Sequence, residues 1–289
     1  MSFRIMTDTS ANLPEEYLRR HEIRCIPYRF LIDGEEPEDF VFEGKSFYDG
    51  MRKGKIVTTS QISPARYADF FRAELERGND VLFVSMSSGI SGSYHSACLA
   101  AEELRAEFPE RKLRLVDALG ASLGEGLLVL WAVRCREKGK SVDETADELL
   151  GRRWGVCQVF TVDDLGYLKR GGRLSNLAAA VGTVLQIKPL LKGDREGKIV
   201  CFDKLRGRRR AIEAMAERFD ACALPQSGQT VGIAHADCEK DMEYLISLLR
   251  RLREKLDIVT VCYEPVTGSH VGPGTLALFF EGSPEFRCG

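Results

Sequence analysis

DVLFVSMSSGISGSYHSA, residues 80 to 97, runs from an unbroken apolar stretch (Val81, Leu82, Phe83, Val84) through six serines and two glycines into a helical pattern. A continuous apolar run bounded by turn residues reads as a strand buried on both faces, the signature of a parallel sheet. A plain connection needs only a few turn residues. A field of hydroxyls on flexible backbone at the carboxyl end of such a strand puts hydrogen-bond donors where open α/β sheets collect ligands.

The flanking sequence repeats the alternation. FRIMTD reads as a strand and SANLPEEYLRRH as a turn and short helix. SPARYADFFRAELERG has Ser63 at an N-cap, Pro64 at the first helical position, an apolar face of Tyr67, Phe70, Phe71 and Leu75, and Gly78 to end it. Strand LRLVDA and helix GEGLLVLWAVRCREKG follow, and SVDE at 141–144 is a capping box opening another helix. This order argues for a parallel sheet covered by helices. After about residue 155 the pattern changes. Strand VCQVFTV, short helix DDLGYLKRGG and the apolar, Ala-rich LSNLAAAVGTVLQ precede a β-hairpin, KPLLKGDREGKIVCFDKL, turning near Asp194–Gly197. Two helices and the strands TVGIAHA, DIVTVCYE and LALFFEG complete the chain. The expectation is an α/β protein of two domains, 1–155 with a parallel sheet and 156–289 with a mixed sheet and hairpin, and a ligand cleft between them.

Composition narrows the function classes. The chain has 289 residues and a formal net charge of -2, so it carries no global attraction to nucleic acid or acidic membranes. Its nine cysteines are scattered singly without a CxxC pair, which indicates neither a zinc site nor a disulfide framework and suits a reducing cytosol. No secretory signal is evident at the start, and the longest apolar stretch, GLLVLWAV, is too short to span a membrane. A cytoplasmic protein with no metal and no stable membrane insertion is expected.

Three stretches carry the chemistry. In SMSSGISGS the amides at the following helix start, with Gly92 allowing close approach, favour an anion, and Ser88, Ser91 and Ser93 add hydroxyls. VTTSQISP, 57–64, places three hydroxyl residues before Gln61, although Ser63 also reads as a cap and Thr58 and Thr59 as a strand end. GSHVGPGTL, 268–276, reads as a rigid Gly-Pro loop around His270.

Together with TDTSANLP, VDALGASLGEGLLV, LGYLKRGGRLS, LQIKPLL and KLRGRRRAI, these stretches give a chain that resembles the DegV family nearly end to end, the fatty-acid-binding subunit of the bacterial fatty acid kinase system. Gly92 is followed by Ser93 where threonine is usual, TSQIS replaces TSQPS, and VDALGAS replaces a usual VDS start. The resemblance implies a non-enzymatic lipid-binding subunit. It would hold a long-chain fatty acid by its carboxylate and present it to a separate ATP-binding kinase for acyl-phosphate formation, feeding phospholipid synthesis. Thr59 and Ser91 match the headgroup residues, with Gly92 and His270 beside them. Two hydroxyls and helix-start amides satisfy a carboxylate without a full counter-charge, which leaves its oxygens open to reaction. Each buried methylene contributes about 0.8 kcal/mol, so a chain of about sixteen carbons contributes on the order of 10 kcal/mol. LSNLAAAVGTVLQI is expected either to wall that chain or to be an ordinary core helix.

KLRGRRR, 204–210, holds five cations in seven residues. A solvated helix start explains it. The resemblance implies instead that Arg206, with Arg170 of LKRGGR, faces the kinase or a phosphate, which suits arginine's planar fork. No stacking aromatics interleave the run, against a nucleic-acid role. Two other functions stay open. A serine hydrolase lacks the G-x-S-x-G elbow, because GISGS has Gly92 at the wrong place. A nucleotide-binding enzyme lacks both a P-loop and a G-x-G-x-x-G fingerprint.

Overall fold

A computed structural model describes residues 3–175, 187–225 and 229–287. In chain order the first elements are β1 (Arg4–Asp8), α1 (Glu15–Arg20), β2 (Arg24–Ile26), β3 (Arg29–Ile32), α2 (Gly44–Arg52), β4 (Val57–Ser60) and α3 (Pro64–Leu75). Next come β5 (Val81–Ser85), α4 (Ser93–Glu107), β6 (Leu113–Asp117), α5 (Leu123–Glu137) and α6 (Val142–Arg152). The remainder comprises β7 (Val156–Thr161), α7 (Gly166–Gly171), β8 (Ile187–Gly193), β9 (Ile199–Arg206), α8 (Arg208–Cys222) and β10 (Thr230–His235). It ends with α9 (Glu239–Leu252), β11 (Asp257–Cys262), α10 (Pro265–Val271) and β12 (Leu276–Glu281). The Ala-rich stretch read as a chain wall falls largely on 176–186, outside the described residues.

Contacts divide the chain into two units, Met1–Arg29 with Thr59–Arg153 and Phe30–Thr58 with Trp154–Gly289. The sequence reading of 1–155 and 156–289 differs from this division at residues 30–58. That segment carries α2, and α2 belongs with the second unit for local reasons. Tyr48 is fully buried and donates its hydroxyl to the carbonyl of Tyr263 at 2.7 Å, and Arg52 pairs with Asp237. Neither contact has a periodicity signal in the sequence.

The first unit is built on a four-stranded parallel sheet in the order β2-β1-β5-β6. All five residues of β5 are buried, as its apolar run demands. Ser63 caps α3 by accepting from the backbone of Arg66, with Pro64 at its first position, and Ser141 and Glu144 form the reciprocal capping box of α6. Helix α5 is buried almost all round, which is what GLLVLWAV dictates, and it carries Glu125 into the interior. Phe71 stacks on Tyr67 with ring centroids 5.6 Å apart and meets the edge of Phe83 at 5.1 Å.

The second unit holds a six-stranded mixed sheet in the order β11-β10-β12-β7-β8-β9. The β10–β11 pair is parallel and the others antiparallel, with the expected hairpin between β8 and β9. Its core clusters Ile212, Met215 and Phe219 of α8 against Val231, Ile233, Leu278 and Phe280 of the sheet. The α/β reading, parallel first and mixed second, holds.

Phe71→Ala leaves an aromatic-sized cavity in the first unit and is expected to destabilise it by about 3 to 5 kcal/mol. The urea midpoint measures this; a midpoint equal to wild type would contradict the packing described.

Candidate functional site

In the first sheet the chain leaves β1 for β2 on one side and returns to β5 on the other, so the crevice between the carboxyl ends of β1 and β5 is the topological switch point. Asp8 ends β1 and Ser85 ends β5. The Ser85 hydroxyl donates to Asp8 Oδ2 at 3.3 Å, the Met86 amide to the same oxygen at 3.2 Å, and the Ser10 amide to Oδ1 at 2.9 Å. Behind Asp8 lies Glu125, which accepts from the Thr7 hydroxyl at 2.7 Å and from the Ser10 hydroxyl. Both carboxyls are completely buried, and neither forms an ion pair among the described residues. Burial pushes Asp8 up to about 6, against the opposing effect of its hydrogen bonds, and holds Glu125 well above the usual carboxylate range with the Asp8 charge adding to the rise.

The serines divide between two tasks. Ser85 serves Asp8, Ser87 accepts from the Gly89 amide at 3.0 Å to close the turn, and Ser88 holds Asp117 at the end of β6. Ser96 is buried within α4. Ser91 and Ser93 are left at the helix start. The Ser91 hydroxyl donates to Ser93 Oγ at 3.1 Å and accepts from the Ser93 amide at 3.2 Å, while Ser93 Oγ also accepts from the Ile62 amide at 3.1 Å. That last bond ties the segment after β4 to the start of α4. Gly92 is exposed, and a side chain there would collide with the Gln61 amide, so its glycine admits Gln61. Thr59 lies on β4, half-buried, two residues before Gln61. The Gln61–Ile62 segment, which follows Thr59, thus meets the Ser91–Gly92–Ser93 turn within the first unit. The adjoining β6–α5 connection holds Leu119 and Ser122 at φ 52° and 53°, a strained backbone for residues other than glycine. It is anchored to the serine turn by the Ser87 amide on the Gly120 carbonyl at 2.9 Å.

The remaining sequence-derived residues lie in the second unit. His270 is not in a loop: Glu264 caps a helix with Pro265 at its first position, and His270 sits in the last turn of α10 before the glycine loop begins at Gly272. The Glu264 cap and Pro265 together outweigh the glycines in setting local structure. A Cβ on Gly171 of α7 would strike the His270 ring. Burial, with the charge of Arg173 adding to it, holds His270 down at about 4, so its ring is neutral at pH 7. Arg170 is exposed, its guanidinium 4.4 Å above the Tyr167 ring. In the basic run, Arg208 bonds Asp241 and the Gly274 carbonyl, Arg209 pairs with Glu213 and Arg210 with Glu217. Lys204 and Arg206 form no ion pair among the described residues, and both are exposed.

Asp8, Glu125 and Tyr28 escaped the sequence reading, which took Tyr67 only as part of an apolar helix face and Gln61 only as the residue after the hydroxyl run. Glu125 had a signal, an acid in the first turn of a helix that runs on through the unbroken apolar stretch Leu127–Val133, where burial demands partners. Among the described residues no group of three His, Cys, Asp or Glu is arranged to hold a metal. No helix among them is long and apolar enough to cross a membrane.

The unfolded chain protonates His270 near pH 6.5 and the native state only near 4. Stability tied to this ring is complete above about pH 6.5 and is lost as pH falls toward 4, by roughly 2 kcal/mol at pH 5. His270→Gln should lose correspondingly less between pH 7 and pH 5 in urea titrations; an equal loss would refute this.

The DegV family model, which describes its members as uncharacterised proteins, matches residues 2–283. A DegV domain-containing protein of Clostridium perfringens is 36% identical over 286 residues, covering 98% of each chain. The fold aligns with a DegV family protein of Thermus thermophilus solved for its fatty acid binding, at a TM-score of 0.87 and 29% identity over 98% of this chain and 100% of that one. It aligns equally broadly, 98% and 100%, with DegV of Bacillus subtilis, a fatty acid binding protein, at a TM-score of 0.85 and 29% identity. With the family model matched across both sheets and every element of the switch-point site, the chain belongs to the DegV family.

Proposed function

We propose that this protein binds a long-chain fatty acid, with the hydroxyls of Ser91 and Thr59 and the amides at the start of α4 around the carboxylate, and presents it to a separate kinase that forms the acyl phosphate. One observation carries the reading. At the switch point of the first sheet, the Ser91–Gly92–Ser93 turn offers hydroxyls and helix-start amides beside the Thr59–Gln61 segment, and neither serine hydroxyl bonds a base or a cation among the described residues. A nucleophilic serine needs a base to activate it, which disfavours hydrolysis. An anion needs donors, and these are donors. The fatty acid binding of the Thermus and Bacillus proteins supports the same ligand class. The eight cysteines among the described residues are free thiols, which suits action in the reducing cytosol.

Arg206 and Arg170 are the residues we assign to the kinase, because Arg208, Arg209 and Arg210 are paired with acids whereas Arg206 and, outside the run, Arg170 are exposed and form no ion pair among the described residues. His270, neutral at pH 7, is assigned to the transfer step.

Mass spectrometry of the purified protein should find a bound acyl chain. Ser91→Ala removes a bond to an ionised group, worth roughly 1.5 to 3 kcal/mol, so fatty acid affinity should fall about tenfold to a hundredfold. Its preference for the free acid over the methyl ester should narrow. Undiminished affinity would move the carboxylate elsewhere. Arg206→Ala should leave affinity near wild type and slow acyl-phosphate formation by added kinase, and His270→Ala should spare much of the binding yet reduce transfer. Loss of binding in Arg206→Ala would assign that arginine to the pocket.

A further inference from the structure

Between Ser91 and the buried carboxyls lies a row of side-chain hydroxyls. Tyr28, just after β2, is 7% exposed and Tyr67 of α3 is fully buried. Neither hydroxyl has a hydrogen-bond partner of good geometry among the described residues. Tyr28 lies beside Ser93, and Tyr67 beside both Tyr28 and Ser85. A buried hydroxyl left unbonded costs about 1 to 3 kcal/mol, and two side by side are rarely tolerated without use.

We propose that Ser93, Tyr28, Tyr67 and Ser85 form a hydroxyl relay joining Ser91 to the Asp8–Glu125 pair, so that a carboxylate bound at Ser91 draws a proton from solvent onto that pair. The proposal rests on the reading of Ser91 as a headgroup donor. Without ligand, the Ser91 proton points at Ser93 and the Ser85 proton at Asp8. To donate to a ligand, Ser91 turns its proton outward. Ser93 can then turn its own proton onto Ser91, and its oxygen, already accepting from the Ile62 amide, has a lone pair for the Tyr28 hydroxyl. Tyr67 then donates to Tyr28, and Ser85 turns from Asp8 to Tyr67. The last position is filled only when Asp8 becomes a donor, which requires its acid form. No covalent bond forms or breaks except the O–H gained by the carboxyl.

The groups facing Asp8 suit this end of the relay. They are Glu125 from α5, Tyr67 from α3 and Tyr28 after β2, with Ser10 and Met86 donating their amides, and no basic side chain bonds either carboxyl. Asp8, held near 6 by burial, is mostly ionised at pH 7 and close to taking up a proton. An anion bound through the relay favours that uptake, so affinity weakens as pH rises through the range above 6. Tyr28 and Ser93 are positioning residues in this scheme.

The test uses delipidated full-length protein and dodecanoate, which stays ionised above pH 6, with dodecanol as the uncharged control. Calorimetry in phosphate and in Tris at pH 7 counts protons taken up. Wild type should take up a fraction of a proton and lose roughly threefold to tenfold in dodecanoate affinity between pH 6 and pH 8, while dodecanol affinity stays flat. Tyr28→Phe keeps the ring and both carboxyls but breaks the row. Its dodecanoate affinity should be flat with pH, near the wild-type value at pH 8, with no proton uptake. Asp8→Asn, whose amide donates as the acid form does, should also be flat with pH and take up no proton, but near the wild-type affinity at pH 6 if it folds; Tyr28→Phe decides the matter if it does not. A pH slope that survives in Tyr28→Phe, or wild type without proton uptake, overturns the relay. Ser91→Ala separates the premises: wild-type affinity in that variant refutes the headgroup reading and the relay with it. Weakened binding with proton uptake intact in Tyr28→Phe refutes the relay alone.

Discussion

Asp8 and Glu125 are buried side by side without a counter-charge, and the first unit is arranged around that constraint. An ionised carboxyl in a protein interior is strongly unfavourable unless hydrogen bonds replace its water. Here backbone amides and hydroxyls from two separate segments do so: Thr7 of β1 with Ser10 just after it, and Ser85 with Met86 at the end of β5. These bonds fix how the chain leaves both strands at the switch point. The turn that carries Ser91 starts from a backbone already held in place.

The same constraint explains why the serine-rich turn is so rich. Hydroxyls bonded to Asp8 and Asp117 stabilise the sheet's polar edge, and those at the helix start, Ser91 and Ser93, bond each other and the Ile62 amide. The count of serines reflects two demands met in one short segment. Arg153 reaches this edge at the Asp117 carbonyl, but no basic side chain bonds Asp8, Glu125 or the Ser91 and Ser93 hydroxyls among the described residues. In the basic run of the second unit, Arg208, Arg209 and Arg210 are bonded to acids and a carbonyl, while Arg206 and the separate Arg170 stand exposed. In the function proposed above, hydroxyls and amides hold the carboxylate by directed hydrogen bonds alone, which leaves its oxygens less neutralised than an arginine would.

Several elements were legible from residue pattern because their causes are local. The apolar run Val81–Val84 needs both faces covered, Ser63 and Pro64 start a helix by capping chemistry, and Ser141 with Glu144 does the same. His270 was misread for a local reason too. The glycines after it suggested a loop, while the Glu264 cap and Pro265 before it start a helix that reaches it. Of the candidate site, the Ser91 turn and the Thr59 segment could be picked out as hydroxyl clusters next to helix starts. Gln61's place against Gly92 could not, because it depends on two loops meeting in space.

The sequence by itself determined the alternation of strands and helices, the caps, the family to which the chain belongs, and the stretches rich in donors. Each of these depends on residues close together in the chain or on motif spacing. Only the tertiary structure decided that residues 30–58 join the second unit, that Asp8 and Glu125 meet although 117 positions apart, and that Tyr28 and Tyr67 bury their hydroxyls between that pair and Ser93. Those outcomes depend on which groups lose their water together, and desolvation is set by packing across the whole fold, beyond what any stretch of sequence encodes.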